Sequence, residues 1–531
     1  MHSVLSLAAV CASWASVATA ALHQIPLAPA AALVDGASSG SGTFEQLIDH
    51  DNPELGTFSQ RYWWSDEYWK GPGSPIILFQ PGESDADGFQ GYLKNTTLTG
   101  LYAQEFGGAG LILEHRYYGK SSPVDELTPK TMQHLTFKNA LADTVHFAKN
   151  VKLPFDNSTK SSPDNAAWIL VGGSYSGAQA GWTAATLPGT FWAYHASSAP
   201  VEAIWNYWQY FVPIRERLPH NCTTDLSNVI NHIDRILTGS DEKAKQTLKD
   251  KFQLGDLRDD DFAAALANGP YLGQTTSASE SYGLYDFCNY IENVYAEPPA
   301  NPGAGGVGVA KALEGYAQWW GTIFPGYCAQ YAYWSSNTST ECFDTYNSTN
   351  PLYADTSIDN YANKQWTWLC CNEPFGAWQD GAPNGTKSIV SRLITDDYYL
   401  RTCGTYFQPD DGYTYASAQG KRSSAVNAWT QGWKGTTERV IWAQGQYDPW
   451  REETVSSDFR PGGPLDSSEE NPIFIMKDAS HCYDLILKNG EENESVQEVI
   501  NAEVKQMKAW VAEFKPKNNG TSALRRKVRH Y

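Results

Sequence analysis

Two hydrophobic patterns alternate along this chain. One is the short run with no polar face: Pro75-Ile-Ile-Leu-Phe79, Gly110-Leu-Ile-Leu113, Ala166-Ala-Trp-Ile-Leu-Val171, the Val-Ile-Trp-Ala stretch ending at Ala443, and Pro472-Ile-Phe-Ile-Met476. Strands that are apolar on both faces belong inside a parallel sheet. The other pattern has the three- and four-residue step of a helix packed along one side. It covers Thr128 to Asn150, with Thr128 expected as N-cap and Pro129 at the first helical position. It returns late in the chain, where Val496, Val499, Ile500, Val504, Met507, Val511 and Phe514 form one stripe. Phe44 to Pro53 and Thr57 to Trp63 suit short antiparallel strands. Strands alternating with helices predict an α/β domain that binds its ligands beyond the carboxyl ends of the strands.

The alternation stops near Val201. Residues 203 to 265 read as helical, Asn268 to Gly308 as loop, and residues 310 to 420 are crowded with aromatic side chains. The expected order is a first α/β part (43–202), an inserted, mostly helical cap (203–425) over the ligand edge, and a second α/β part (426–515). Apart from Cys222 and Cys482, every cysteine after Cys11 falls between Cys288 and Cys403. Up to four disulfides can tie such a cap, with adjacent Cys370 and Cys371 going to different partners; the connectivity stays open. No pair has CxxC spacing, so no zinc site is expected.

Met1 to Ala20 is apolar and ends in Ala18-Thr-Ala20, which reads as a secretory signal peptide (1–20). Residues 21–42, rich in Ala, Pro, Ser and Gly, read as a propeptide or flexible lead, and the basic 516–531 as a disordered tail. No later run is long enough to span a membrane. Eight Asn-x-Ser/Thr sequons, at Asn95, Asn157, Asn221, Asn337, Asn347, Asn384, Asn493 and Asn519, fit a glycosylated protein that is secreted or vacuolar/lysosomal. A net charge of −20 argues against nucleic acid and anionic membrane as partners. Oligomeric state is not legible.

The third apolar run enters Gly172-Gly-Ser-Tyr-Ser-Gly177, followed by small, helix-compatible residues. Strand, sharp turn and helix around a serine make a nucleophile elbow, with glycines where the backbone must pass closely. Ser174 is the expected nucleophile; Ser176 is the rival but lacks a glycine two residues upstream. A serine hydroxyl needs a base and a group to orient that base. The α/β-hydrolase order Ser, Asp, His is present, each residue on the turn after a strand: Ser174, Asp448 and His481. The expected oxyanion donors are the Tyr175 N–H and that of Gly82 or Glu83, since Pro81 has none. Glu114 and Arg116, on one side of an extended stretch, read as a buried ion pair. No cofactor is expected.

Gly172-Gly-Ser-Tyr-Ser-Gly177, Glu114-His-Arg-Tyr-Tyr-Gly119, Gln60-Arg-Tyr62, Asp448-Pro-Trp450 and the His481 loop together resemble the serine peptidase family that includes lysosomal prolyl carboxypeptidase and dipeptidyl peptidase II. Thr57 to Trp64, Phe191 to His195 and Phe459 to Pro464 are similar to its fungal branch of secreted acid prolyl endopeptidases. The resemblance implies an α/β-hydrolase fold with a helical, disulfide-tied cap, the triad Ser174, Asp448 and His481, and cleavage after proline in peptides at acidic pH. It places Trp450 in the wall of the proline pocket and Glu83 near a substrate's free amine, and it puts pocket shape in question at Ala178. Trp366, Trp368 and Trp378 are further aromatic candidates, because a flat apolar wall suits a pyrrolidine ring. Work at roughly pH 4 to 5 would require the His481 pKa to be depressed by burial or positive charge. The alternatives are a proline-specific exopeptidase, an esterase or lipase on the same scaffold, and a binding protein that has kept the fold.

Overall fold

The computed structural model describes residues 38–517. The signal segment, most of the lead, most of the basic tail and Asn519 lie outside the described residues. One eight-stranded sheet runs in the order β1-β2-β4-β3-β5-β6-β7-β8. Its strands are β1 (Ser39–Leu47), β2 (Thr57–Ser65), β3 (Ile76–Gln80), β4 (Ala109–Leu113), β5 (Trp168–Gly173), β6 (Ala193–Ser197), β7 (Val440–Gly445) and β8 (Ile473–Met476). β1 and β2 form an antiparallel edge against β4, and every pairing from β4 through β8 is parallel. Each residue of β3 to β7 is buried, as the apolar runs of β3, β4, β5 and β7 require. β1 begins at Ser39, inside the stretch read as a lead.

β6 was not among the predicted strands, because Tyr194, His195 and Ser197 interrupt its hydrophobicity. Its His195 and Ser197 are buried and satisfied, whereas the buried Tyr194 hydroxyl has no hydrogen-bond partner. Ser197 Oγ donates to Asp484 Oδ1 (2.5 Å), His195 Nε2 meets Asp484 Oδ2 (2.9 Å) and His195 Nδ1 meets the Tyr102 hydroxyl (3.0 Å). Asp484 lies three residues past His481, so this network fastens the His481 turn to the centre of the sheet.

Helices cover both faces. α1 (Leu98–Phe106) and the C-terminal helix Glu494–Glu513 pack on one, with Val496, Val499, Ile500 and Met507 buried there as the stripe predicts. α2 (Phe137–Asn150) and α3 (Ser174–Thr186) pack on the other, in a core continuous with that of the cap. α2 starts later than expected. Thr136 is its N-cap, receiving the Asn139 N–H, while the Thr128 hydroxyl closes a short turn by accepting from the Thr131 N–H. Glu114 and Arg116 do not pair with each other either. Arg61 from β2 donates to Glu114 (Nε to Oε2, 2.8 Å), and Arg116 makes a two-pronged pair with Asp143 of α2 (2.6 and 2.5 Å).

Between β6 and β7 the described residues form helices and loops with no named strand. Disulfides join Cys222 to Cys288, Cys328 to Cys342 and Cys371 to Cys403. Cys370 and Cys482 are buried and unpaired, so three bridges form where four were possible.

The elbow depends on Gly172: a Cβ there would lie 2.1 Å from the Ser176 carbonyl oxygen. Since neither backbone can yield without moving Ser174, Gly172→Ala is expected to cost about 10²-fold or more in kcat/KM. Near-native activity in a folded Gly172→Ala variant would contradict this packing.

Candidate active site

Parallel β5, β7 and β8 end on the same edge of the sheet, and the three polar turns that leave them carry Ser174, Asp448 and His481. Ser174 has φ of 56°, a left-handed conformation that few side-chain-bearing residues adopt. Such a turn lifts the serine above the strand and begins α3 at once. Ser176 faces the other way: its hydroxyl donates to the Gly173 carbonyl (2.8 Å) and accepts the Gly173 N–H (3.0 Å). These two hydrogen bonds hold the Ser176 hydroxyl against the strand end.

Asp448 and His481 are both fully buried and meet through His481 Nδ1, 3.0 and 3.1 Å from the two carboxylate oxygens. The Trp450 N–H (2.9 Å) and Gln444 Nε2 (2.7 Å) also donate to Asp448. With Nδ1 committed, Nε2 is the nitrogen left for a hydroxyl, and it has no hydrogen-bond partner. The cap completes the loop, because the Thr275 carbonyl accepts the His481 N–H (2.9 Å). Burial opposes a charged imidazole, but the Asp448 carboxylate, with Cys482 beside it, outweighs burial and holds His481 well above its ordinary pKa. The depressed imidazole expected for work near pH 4 is therefore not what this pair produces.

Gly82 (φ 74°) packs over the first turn of α3, against Ser176. Glu83 follows it, only 3% exposed, and its Oε1 has no partner. Burial pushes its carboxyl up to about 8, against the opposing pull of its own N–H and of His481. At acidic pH Glu83 is thus an uncharged acid near the imidazole. Other carboxyls are raised by burial in the same way, Glu373 and Asp380 to about 7.

Trp450, buried beside the acid, donates Nε1–H to Gln274 Oε1 (2.9 Å) and packs with Tyr207 and Tyr210 at 5.6 and 5.4 Å. Trp366 lies 5.3 Å from the Tyr175 ring, whereas Trp368 is turned onto Phe407 and Trp378 stacks on Tyr399 (4.9 Å). Ala178 is fully buried within α3. Gln444, Gln274 and Thr275 carry no sequence signal of their own. His115, whose Nε2 meets the Tyr175 hydroxyl (3.1 Å), stood inside a quoted motif without a role. Among the described residues, His195, Asp484 and Glu503 form the one cluster with the spacing of metal ligands; it is part of the network behind the His481 turn, not of this site.

Comparison with known proteins agrees with this geometry. Residues 46–502 match the family described as Serine carboxypeptidase S28. The chain is 39% identical over 490 residues to serine protease vicPb of Bipolaris victoriae (strain FI3), covering 91% of each. It is 32% identical to a probable extracellular serine carboxypeptidase of Arthroderma benhamiae, covering 86% of this chain and 64% of that protein. It is 23% identical to the human lysosomal Pro-X carboxypeptidase, over 89% and 88%.

A fluorophosphonate should label the intact protein at Ser174. Labelling is expected to vanish in Ser174→Ala and to persist in Ser176→Ala; the reverse would assign the elbow to Ser176.

Proposed function

The chain belongs to the serine carboxypeptidase S28 family and is a serine peptidase, and from that premise we propose that it hydrolyses peptide bonds on the carboxyl side of proline. Ser174 attacks the carbonyl while His481 Nε2 takes its proton and later returns it to the leaving amine. Asp448 fixes the imidazole tautomer and stabilises the imidazolium. The N–H groups of Tyr175 and of Gly82 or Glu83 hold the oxyanion. One observation carries the proline reading: Trp450, in the turn of the acid itself, offers a buried indole backed by Tyr207 and Tyr210. Such a wall holds a pyrrolidine ring and leaves no acceptor waiting for an N–H that proline lacks.

We read the enzyme as an endopeptidase. Burial raises the Glu83 carboxyl to about 8, so at acidic pH it is mostly uncharged and is a poor counter-ion for a substrate's free amine, which argues against release of an N-terminal dipeptide. The second reading, release of a C-terminal residue, is favoured by the printed names of two relatives, both carboxypeptidases. A peptide blocked at both ends with proline inside should be cut after proline; cleavage of the unblocked peptide alone would select the exopeptidase, and preference for long acyl esters would select a lipase. Exposed Asn95, Asn157, Asn337, Asn347 and Asn384, half-buried Asn221 and Asn493, and three disulfides support a secreted glycoprotein. No helix among the described residues is long and apolar enough to cross a membrane.

Acidity acts on this molecule in two opposite ways. Glu83, Glu373 and Asp380 are neutral when folded and ionised when unfolded between about pH 4 and their folded values of about 7 to 8. The stability they supply is therefore present at acid pH and is lost as pH rises through that window. His481 works the other way, since its protonated form is no base. The expected outcome is a kcat/KM that rises with pH through a limb above about 6.5 and is low at about pH 4 to 5, with a Tm that falls between about pH 5 and 8. An acidic limb near pH 4, or a Tm that rises over that range, would reverse the respective assignment. Asp448→Asn should lower kcat by about 10⁴-fold at every pH while leaving KM nearly unchanged.

A further inference from the structure

A cavity of about 270 Å³ lies inside the cap, and eight of its lining side chains are tyrosines. It sits between the two functional turns. At one end Asn363 accepts the Tyr118 hydroxyl (3.2 Å) and donates to the Glu83 carbonyl (3.4 Å), on the turn that supplies the oxyanion donor. At the other end Tyr271 edges onto Tyr210 (5.8 Å), whose hydroxyl bonds the same Gln274 oxygen as the Trp450 indole. Side-chain contacts thus link its lining to both turns of the catalytic edge, while Trp450 does not line it.

Its chemistry is selective. Among its lining residues Asp261 is the one carboxylate, and it is committed: the Thr345 hydroxyl (2.6 Å) and N–H (3.3 Å) donate to it, and Arg401 stands 3.9 Å away. No lysine, arginine or histidine lines the cavity, so nothing there matches a charged end or an ionic side chain. What it presents is ring faces and phenolic hydroxyls. A proline-rich segment in the polyproline II conformation is the peptide that such a surface fits. It needs no internal hydrogen bonds, its carbonyls point outward to accept from hydroxyls, and its rings lie flat on aromatic walls at low entropic cost.

Resting on the proposed reading of the catalytic site, we propose that this cavity is a second recognition site, holding a proline-rich stretch of the substrate remote from the bond that is cut. The enzyme then favours chains with clustered prolines over chains with a single one. Tyr361, 57% exposed at the lining, and half-buried Ala362 beside it provide the tests. Three substrates are compared: a blocked Gly-Pro-anilide, a peptide of about 16 residues with one proline, and one of the same length with several. Tyr361→Ala should lower kcat/KM about tenfold on the clustered peptide alone, as the loss of one aromatic contact does. Tyr361→Phe should keep most of it, and Ala362→Trp, which fills the space, should abolish the preference between the two long peptides. Equal effects on all three substrates, or none, would overturn the second site. If none is cut after proline, the functional reading itself falls, and binding of an oligoproline to Ser174→Ala then judges the cavity alone: no difference from Ala362→Trp in the same background rejects it.

Discussion

A carboxylate with no exposure to water must be hydrogen-bonded by protein or be lost as a charge. Asp448 is in that position, and its donors come from three directions: its own turn through the Trp450 N–H, its own strand through Gln444, and the next strand's turn through His481. The rest of the site follows from keeping these donors in place. β7 and β8 must be neighbours for the two turns to meet, and β5 ends on the same edge, where Ser174 leaves it. The sheet is mainly a device for that alignment.

Two further layers hold the histidine. Behind it, Asp484 ties the turn to His195 and Ser197 of β6 and through them to Tyr102 of α1. Above it, the cap accepts its N–H at Thr275, and Gln274 takes the Trp450 indole and the Tyr210 hydroxyl. Each layer spends buried polar groups on position, and nearly all of them are paired. The exceptions are informative: Glu83 Oε1 and His481 Nε2 are buried without partners, on the edge where a substrate would bring them. Glu503, also unpaired, lies within ligand distance of Asp484 and His195 behind the turn, where burial and the Asp484 charge push its carboxyl up.

What could be read from the linear chain was whatever has a one-dimensional period or a fixed order. Apolar runs located β3, β4, β5, β7 and β8, and Ser174, Asp448 and His481 lie, as expected, on turns after three of them. What could not be read was pairing across space. Glu114 and Arg116 stand two apart and look like partners, but β2 and α2 bring Arg61 and Asp143 closer. β6 was hidden because its polar residues find Asp484, 289 positions from His195. Either Thr128 or Thr136 could cap a helix; tertiary packing chose the second. The depressed imidazole that work at about pH 4 to 5 would require, from burial or positive charge, is not found, because the Asp448 carboxylate outweighs burial.

The hydrogen bond from the His481 backbone to Thr275 makes the roof part of the machine beneath it. Modules that merely shade a site can be traded between relatives, enlarged or deleted while the engine below keeps turning. Here such a graft would remove the carbonyl that holds the His481 backbone, so a change of roof also disturbs the turn beneath it.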